Sequence, residues 1–561
     1  MNKRPNIIIF NPDEMRADAL GHLGNPAAHT PFLDGFAKSQ AVSFANAFCQ
    51  NPVCVPSRCS FSTGLYPHVR GHRTMSYLLR EGESSMFSEL KDAGYYVWMN
   101  ARNDLVAAGK PGALMEHASE IYYGGDAAPA PGPEKPAAPL SDSFRAHYGG
   151  KLLRDQGGRN YSSDDADVDA AIEMIRRKPA DQPLCLFLGL IYPHPPYQVE
   201  EPYFSMIDRN LLPDRILPQE CSGKARIEEA VRHNQELEGY TEEQWKELRA
   251  VYLGMTAKVD VQFEKLCRAL KEAGEYDNSA IFFLSDHGDF TGDYGISEKA
   301  QNTFEDCLTR VPLLIKPPAD YSLDPGITYS LTELVDFYAT VMEFAGVVPD
   351  HTHFGKALQP VLSDRGKELR SFATCEGGRM PDEVHCDEFH AAGLRGTSPC
   401  SPYYPRHLAQ TDADAHAKGY MLRTQQYKLV SRVNGQDEFY DLSKDPGERT
   451  NCICNPEYAD IIRDLQHEQL LWFMRTADIV PFDYDPRFSK EMIWAKVKNL
   501  VPPEYENEIR KEIDDGVPMF SLIMSCRSRF GEKNSSGAGP AIWKKMGEKH
   551  GRSEEETFLP E

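Results

Sequence analysis

Three short apolar runs constrain this chain more than any other feature: NIIIF at 6–10, LCLFLGL at 184–190 and AIFFLSD at 280–286. Each is nearly continuous. A strand with one wet face alternates apolar and polar residues; a strand covered on both faces does not. The pattern therefore predicts a parallel sheet flanked by helices on both sides. Each run is followed by polar, reactive residues: NPDE, IYPHPPY and DHGD. Sites in open α/β sheets form beyond the carboxyl ends of the strands, so the three runs bring chemistry to one edge.

Helical patterns lie between the runs. Thr241 and Gln244 have the spacing of a capping box. Leu248, Tyr252, Met255, Val259, Phe263, Leu266 and Leu270 then recur at three- and four-residue steps, with Gly274 as a stop. Residues 164–178 read as a helix with an acidic start and a basic end, which suits the helix dipole. Thr332 is expected to cap a helix that ends at Gly346. Residues 124–141 are rich in Pro, Ala and Gly and read as a loop or insertion. From about 370 the texture changes, and 420–442 predicts strands around an Asn434-Gly435 turn. The expected division is a catalytic domain over 1–370, a smaller α+β subdomain over 371–480 and a C-terminal extension over 481–561. Within that extension 531–541 read as flexible, and the last twenty or so residues as a tail. There is no internal repeat.

A formal net charge of −23 argues against a nucleic-acid partner, which needs a basic surface. No run of eighteen apolar residues exists, so no helix is expected to span a membrane. The thirteen cysteines are scattered and odd in number, with no disulfide framework. NIIIF is too short for a secretory apolar region, and no small-residue cleavage site follows it. These features together lead to the expectation of a reduced, cytoplasmic protein.

The segment NPVCVPSRCSFSTG, from Asn51 to Gly64, places a cysteine, a proline and an arginine at tight spacing before a helical stretch, and CSFSTGLYPHVRGH continues to His72. Here the chain resembles the type I, formylglycine-dependent sulfatases of the alkaline phosphatase superfamily. Their signature is Cys-x-Pro-Ser-Arg followed by Ser/Thr-Gly-x-x-Pro, matched here by Cys54 to Arg58 and by Thr63, Gly64 and Pro67. The resemblance implies an α/β fold: a large, mainly parallel sheet sandwiched by helices, with a smaller C-terminal α+β subdomain. It also implies that a formylglycine-generating maturase oxidises Cys54 to an aldehyde that exists as a hydrate. A plain hydroxyl attacking sulfur would leave a stable sulfate ester on the enzyme. A hydrate attacks with one oxygen and uses the other to expel sulfate, splitting one hard step into two easier ones. A helix beginning near Ser57 would set backbone N–H groups beside the anion.

The same resemblance makes Asp13, Glu14, Asp286 and His287, with residue 54, ligands of one divalent cation. Oxygen-dominated ligands suit Ca2+ first, with Mg2+ or Mn2+ as alternatives. Glu14 departs from the usual aspartate or glutamine. Arg58 is expected to orient the hydrate, His194 to contact sulfate and the leaving oxygen, and Lys299 to pair with a sulfate oxygen. One departure stands out. Where the family has Gly-Lys-x-His, this chain has Ala101, Arg102, Asn103 and Asp104. Arg102 can serve as a forked anion contact. Asp104 cannot replace the histidine directly, so the base for sulfate release stays open among Asp104, His194 and His72. Another reading makes Arg102 and Asp104 an ion pair outside the site. His72, Arg379 and His385 are candidate substrate contacts, with an exposed polar loop as the other reading of 376–390.

The expected function is hydrolysis of a small-molecule or oligosaccharide sulfate ester. By family frequency the substrate is a sulfated sugar. Alternatives are a formylglycine-dependent phosphonate or phosphate ester hydrolase, or a non-catalytic sulfated-glycan-binding relative. Homo-oligomerisation is left open.

Overall fold

The three apolar runs become neighbouring strands. In the computed structural model, which describes residues 4–107, 111–124, 141–152, 162–393, 396–480 and 487–531, they lie at the centre of an eight-stranded sheet. Its strands are β1 (Asn6–Asp13), β2 (Val42–Phe44), β3 (Tyr96–Asn100), β4 (Glu120–Tyr122), β5 (Leu184–Pro193), β6 (Ser279–Leu284), β7 (Leu313–Lys316) and β8 (Gly326–Thr328). The order across the sheet is β8-β2-β7-β6-β1-β5-β3-β4. Only β7 runs against its neighbours, and the remaining pairs are parallel.

Both faces of the central strands are covered, which explains the unbroken apolar runs. Ile7 and Ile9 of β1 point into one core layer with Phe187, Phe282, Phe61 and Phe337. Ile8 and Phe10 point into the opposite layer with Leu186, Phe283, Met174, Met255 and Phe263. Alternation of side chains along each strand thus feeds two cores rather than one core and solvent.

The helix Glu242–Glu272 starts at the expected capping box, with Thr241 as N-cap and Gln244 returning the bond. The helix Ser163–Arg177 is likewise capped, by Ser162. One cap differs from expectation. The helix at 335–345 has Leu334 as its N-cap, and Thr332 sits in a short strand paired with Ala47. Asp336 accepts the Glu333 N–H instead, so the first turn is closed from inside the helix. Gly346 ends it in a left-handed conformation, as expected.

A second, four-stranded antiparallel sheet runs over 373–441. Its last two strands, Tyr427–Arg432 and Glu438–Asp441, flank the expected Asn434-Gly435 turn. The chain divides into two compact units, Met1–Phe482 and Asp483–Glu561. In the second, among the described residues, three α-helices over 490–530 pack around Val497, Ile509, Ile513, Leu522 and Cys526. The expected loop, apart from its ends at 124 and 141, and the tail beyond 531 lie outside the described residues. Among the described residues no helix is long and apolar enough to cross a membrane.

Candidate active site

The helix that carries the cysteine motif spans Cys54–Thr63 and is buried along its whole length. Its start differs from expectation: Cys54 itself is the first helical residue, after an extended Val53, three positions before Ser57. Pro56 is tolerated because first-turn N–H groups have no partner within the helix. Ser57 ties the helix to the end of β6, its hydroxyl donating to the Asp286 carbonyl at 2.6 Å. Gly64 closes the helix with φ +69.

Cys54 Sγ lies 3.4 Å from Asp13 Oδ1 and 3.2 Å from His287 Nε2. With Asp286 these side chains form a fully buried group whose ligand atoms all lie within 4.8 Å of one another. The ladder slips at the end of β1, between Pro12, opposite Leu190, and Asp13, opposite Pro193. His287 has Nδ1 at 3.0 Å from the Gly288 carbonyl. That nitrogen therefore carries the proton, and the Nε2 lone pair faces the group. Burial pushes the His287 pKa down, which keeps the ring neutral. Two carboxylates and a neutral imidazole around one point fit a hard divalent cation, and no reorganisation is needed to gather them.

Arg58 bridges the two acids. Its Nε is 2.7 Å from Asp286 Oδ2 and its Nη2 is 3.0 Å from Asp13 Oδ2. Arg102 adds a second cation, with Nη2 at 2.6 Å from Asp13 Oδ2. Burial pushes the Asp13 carboxyl up, but Arg102 and Arg58 outweigh it and hold the group well below the usual range. Arg102 reaches this place because of Gly189. A Cβ on that residue would collide with the Arg102 carbonyl oxygen, and that oxygen accepts from Arg58 Nη1 at 3.0 Å. The glycine inside the second apolar run thus lets the 101–104 loop approach the strand. Cys54, among these acids, has its thiol pushed well up by burial and by Asp13.

A second layer adjoins the first. Lys299 Nζ is 2.6 Å from Glu14 Oε2 and 3.1 Å from Glu298 Oε1. His194 Nε2 is 3.4 Å from Glu14 Oε2, while its Nδ1 lies 2.6 Å from the Pro195 carbonyl. Glu14 therefore stands apart from the four-residue group around Cys54 and faces Lys299 and His194. Its longer side chain carries the carboxylate past the position that an aspartate would hold. Its Oε1 is buried without a hydrogen-bond partner, and Glu14, Asp13 and His194 form a further buried set with ligand atoms within 4.8 Å. The Glu14 backbone has φ 64. It is held there by Asp286, which accepts its N–H, and by the Tyr252 hydroxyl, which donates to its carbonyl at 2.8 Å.

Other expected site residues fall elsewhere. Asp104 is 3.7 Å from Arg58 Nη1. Arg102 pairs with Asp13, so the reading of Arg102 and Asp104 as a separate ion pair does not hold. His72 has Nδ1 at 2.8 Å from the Tyr77 carbonyl and Nε2 at 3.3 Å from Glu83, partners that belong to nearby loops and not to the Cys54 group. Arg379 is buried and staples loops together through the carbonyls of Met380 and Pro381 and through Asp387, so it is not a substrate contact. His385 is exposed, with its ring against Tyr77 and its carbonyl accepting from the Tyr77 hydroxyl, again away from the Cys54 group. Conversely, Glu298, Tyr403 and Arg406 belong to the site and carry no sequence motif.

A family model described as Sulfatase matches residues 5–347. The chain belongs to the sulfatase family. That membership makes it a sulfuric ester hydrolase by class. The arylsulfatase of Clostridium perfringens is 24% identical over 495 residues, covering 82% of this chain and 92% of that protein. The N-acetylglucosamine-6-O-sulfatase of Bacteroides thetaiotaomicron is 24% identical over 531 residues, covering 82% and 85%. In fold, this sulfatase resembles the phosphonate monoester hydrolase of Agrobacterium radiobacter, with a TM-score of 0.68 at 21% identity over 87% of this chain and 99% of that one.

Proposed function

We propose that this protein hydrolyses a sulfate monoester of a sugar, with residue 54 acting as a formylglycine hydrate beside one divalent cation, Ca2+ by preference. The observation that carries this reading is the position of Cys54. It sits at the start of a buried helix, 3.4 Å from Asp13 and 3.2 Å from His287, with Arg58 bridging Asp13 and Asp286. Asp13, Asp286 and His287, with Glu14 beside Asp13, would hold the cation. When bound, it would polarise a sulfate oxygen and lower the pKa of the hydrate.

The chain's own residues do the rest. One hydrate oxygen forms a bond to sulfur as the bond from sulfur to the sugar oxygen breaks. His194, which burial keeps neutral, takes the attacking hydroxyl's proton at Nε2 and passes it to the departing sugar oxygen; neutral again, it accepts the proton of the second hydroxyl and releases it to water. The bond from carbon to the sulfated oxygen then breaks, sulfate leaves, and the aldehyde re-forms and takes up water. Lys299 and Arg102 stabilise charge on the sulfuryl oxygens. A second reading, a phosphonate or phosphate ester hydrolase, rests on the departure at Arg102 and Asp104, where the family has a lysine and a histidine.

Mass spectrometry of the peptide holding residue 54, from protein co-produced with a formylglycine-generating enzyme, tests the nucleophile. Sulfate release from defined sulfated mono- and disaccharides, with paired aryl sulfate and aryl phosphonate substrates, tests the reaction. An aldehyde at 54 with faster turnover of sulfates supports the reading. Faster turnover of phosphonates favours the second. An unmodified thiol, or tight binding of sulfated sugars without turnover, overturns both.

A further inference from the structure

Residues 396–410, GTSPCSPYYPRHLAQ, carry no motif, yet they meet the His194 ring through Tyr403 and reach Lys299 by way of Glu298. Arg406 is buried, and its Nη1 pairs with Glu298 Oε1. That same carboxylate oxygen lies 3.1 Å from Lys299 Nζ. Lys299 also faces Glu14 at 2.6 Å. One ammonium between two carboxylates would have no charge to spare for a substrate anion. Arg406 supplies the missing positive charge.

Arg406 is itself fixed. Its Nε lies 3.6 Å from Glu388 Oε2, which in turn faces His407 at 3.0 Å and accepts from Gln410 at 3.1 Å. Its guanidinium lies over the Tyr403 ring at 4.7 Å. Tyr403 meets the His194 ring edge to face, with centroids 6.2 Å apart and planes at 74°. One short segment therefore braces Lys299 through Glu298 and His194 through Tyr403. The Glu298 main chain is held in place. Its backbone has φ 66, and its N–H donates to the Tyr197 hydroxyl at 2.8 Å.

We propose that Arg406 is a positioning residue that binds Glu298 so that the charge of Lys299 is left for the substrate's anionic group. This rests on the reading above, in which Lys299 contacts that group. A buried ion pair is poor evidence for stability, since apolar residues of similar volume often serve as well. Its value here is electrostatic: without Arg406, Glu298 competes with the substrate for Lys299.

The test uses the matured, Ca2+-loaded enzyme, an aryl sulfate as substrate and inorganic sulfate as competitive inhibitor. Arg406→Met is expected to raise KM and the sulfate inhibition constant together, by about tenfold or more. Glu298→Gln in the same chain removes the competing carboxylate and is expected to bring both back to within about threefold of the parent, the signature of a coupled pair. Arg406→Lys keeps the charge and stays near the parent. Glu298→Gln alone leaves Arg406 beside Lys299 and tightens sulfate; it also carries the test if Arg406→Met fails to fold. A brace without electrostatic effect would leave the inhibition constant unchanged in every folded variant, and that result, or weaker sulfate binding in Glu298→Gln alone, overturns the inference. If the parent is inhibited by sulfate and Lys299→Met is inhibited equally well, the reading of Lys299 has failed instead, and the inference falls with it.

Discussion

Lys299 Nζ lies 2.6 Å from Glu14 Oε2, with both side chains buried at the carboxyl edge of the sheet. The contact joins residues 285 positions apart. It ties the lysine to the carboxylate oxygen that His194 also faces, at 3.4 Å.

Breaking this pair on one side strands a charge in the interior, so Lys299→Met is expected to cost about 3–5 kcal/mol of stability. Lys299→Met/Glu14→Gln should regain most of it, because no uncompensated charge remains. Neither variant should recover activity. Thermal and urea unfolding, alongside turnover, check this, and equal stability of single and double variants would contradict the pairing.

Cys54→Ser replaces the hydrate's two oxygens with one. That hydroxyl can attack sulfur but has no second oxygen with which to expel sulfate. The expected outcome is at most one turnover and a sulfate ester retained on residue 54, read from the mass of the peptide that contains it. Multiple turnover would contradict the two-oxygen scheme.

Chelation should abolish turnover, and Ca2+ should restore it. Asp286→Asn should resist restoration at the same Ca2+ concentration, since it loses a cation ligand and the charge that holds Arg58 Nε at 2.7 Å. Bound metal measured by elemental analysis should fall with activity. Full activity after metal removal would exclude the proposed role of the cation.

Away from the site, Asp260 accepts the N–H groups of Phe32 and Leu33 at 3.1 and 2.7 Å. Burial raises its pKa to about 7 although both bonds oppose the shift. The folded state therefore holds this proton more tightly than the unfolded chain. Its contribution is full below about pH 4 and is lost as pH rises through 7, on the order of 4 kcal/mol in all. Asp260→Asn should flatten the dependence of unfolding midpoint on pH between 4 and 8, relative to the parent. An unchanged difference between the two proteins across that range would refute the assignment.

Much of the site was legible from local pattern. Short continuous apolar runs with polar residues at their ends fit strands covered on both faces, and the residues after parallel strands share an edge. Asp13, Asp286 and His287 do meet there, around Cys54. The errors have local causes too. Thr332 has the right side chain for a cap, but pairing with Ala47 takes it into a strand. His72 and Arg379 have the right chemistry for a site, yet carbonyls and acids from nearby loops occupy them.

Spacing and residue type along the chain were enough to place a cysteine-bearing helix together with two acid-ended strands and one that leads to His194, since burial and helix geometry act over a few neighbouring positions. The partners of Lys299 and Arg102 were not readable that way. They depend on how the backbone returns: Gly189 admits the Arg102 loop, and Arg406 reaches Glu298 across 108 residues. Which charges end up unshielded at one point in a low-dielectric interior is a property of the folded path, and no local signal encodes it.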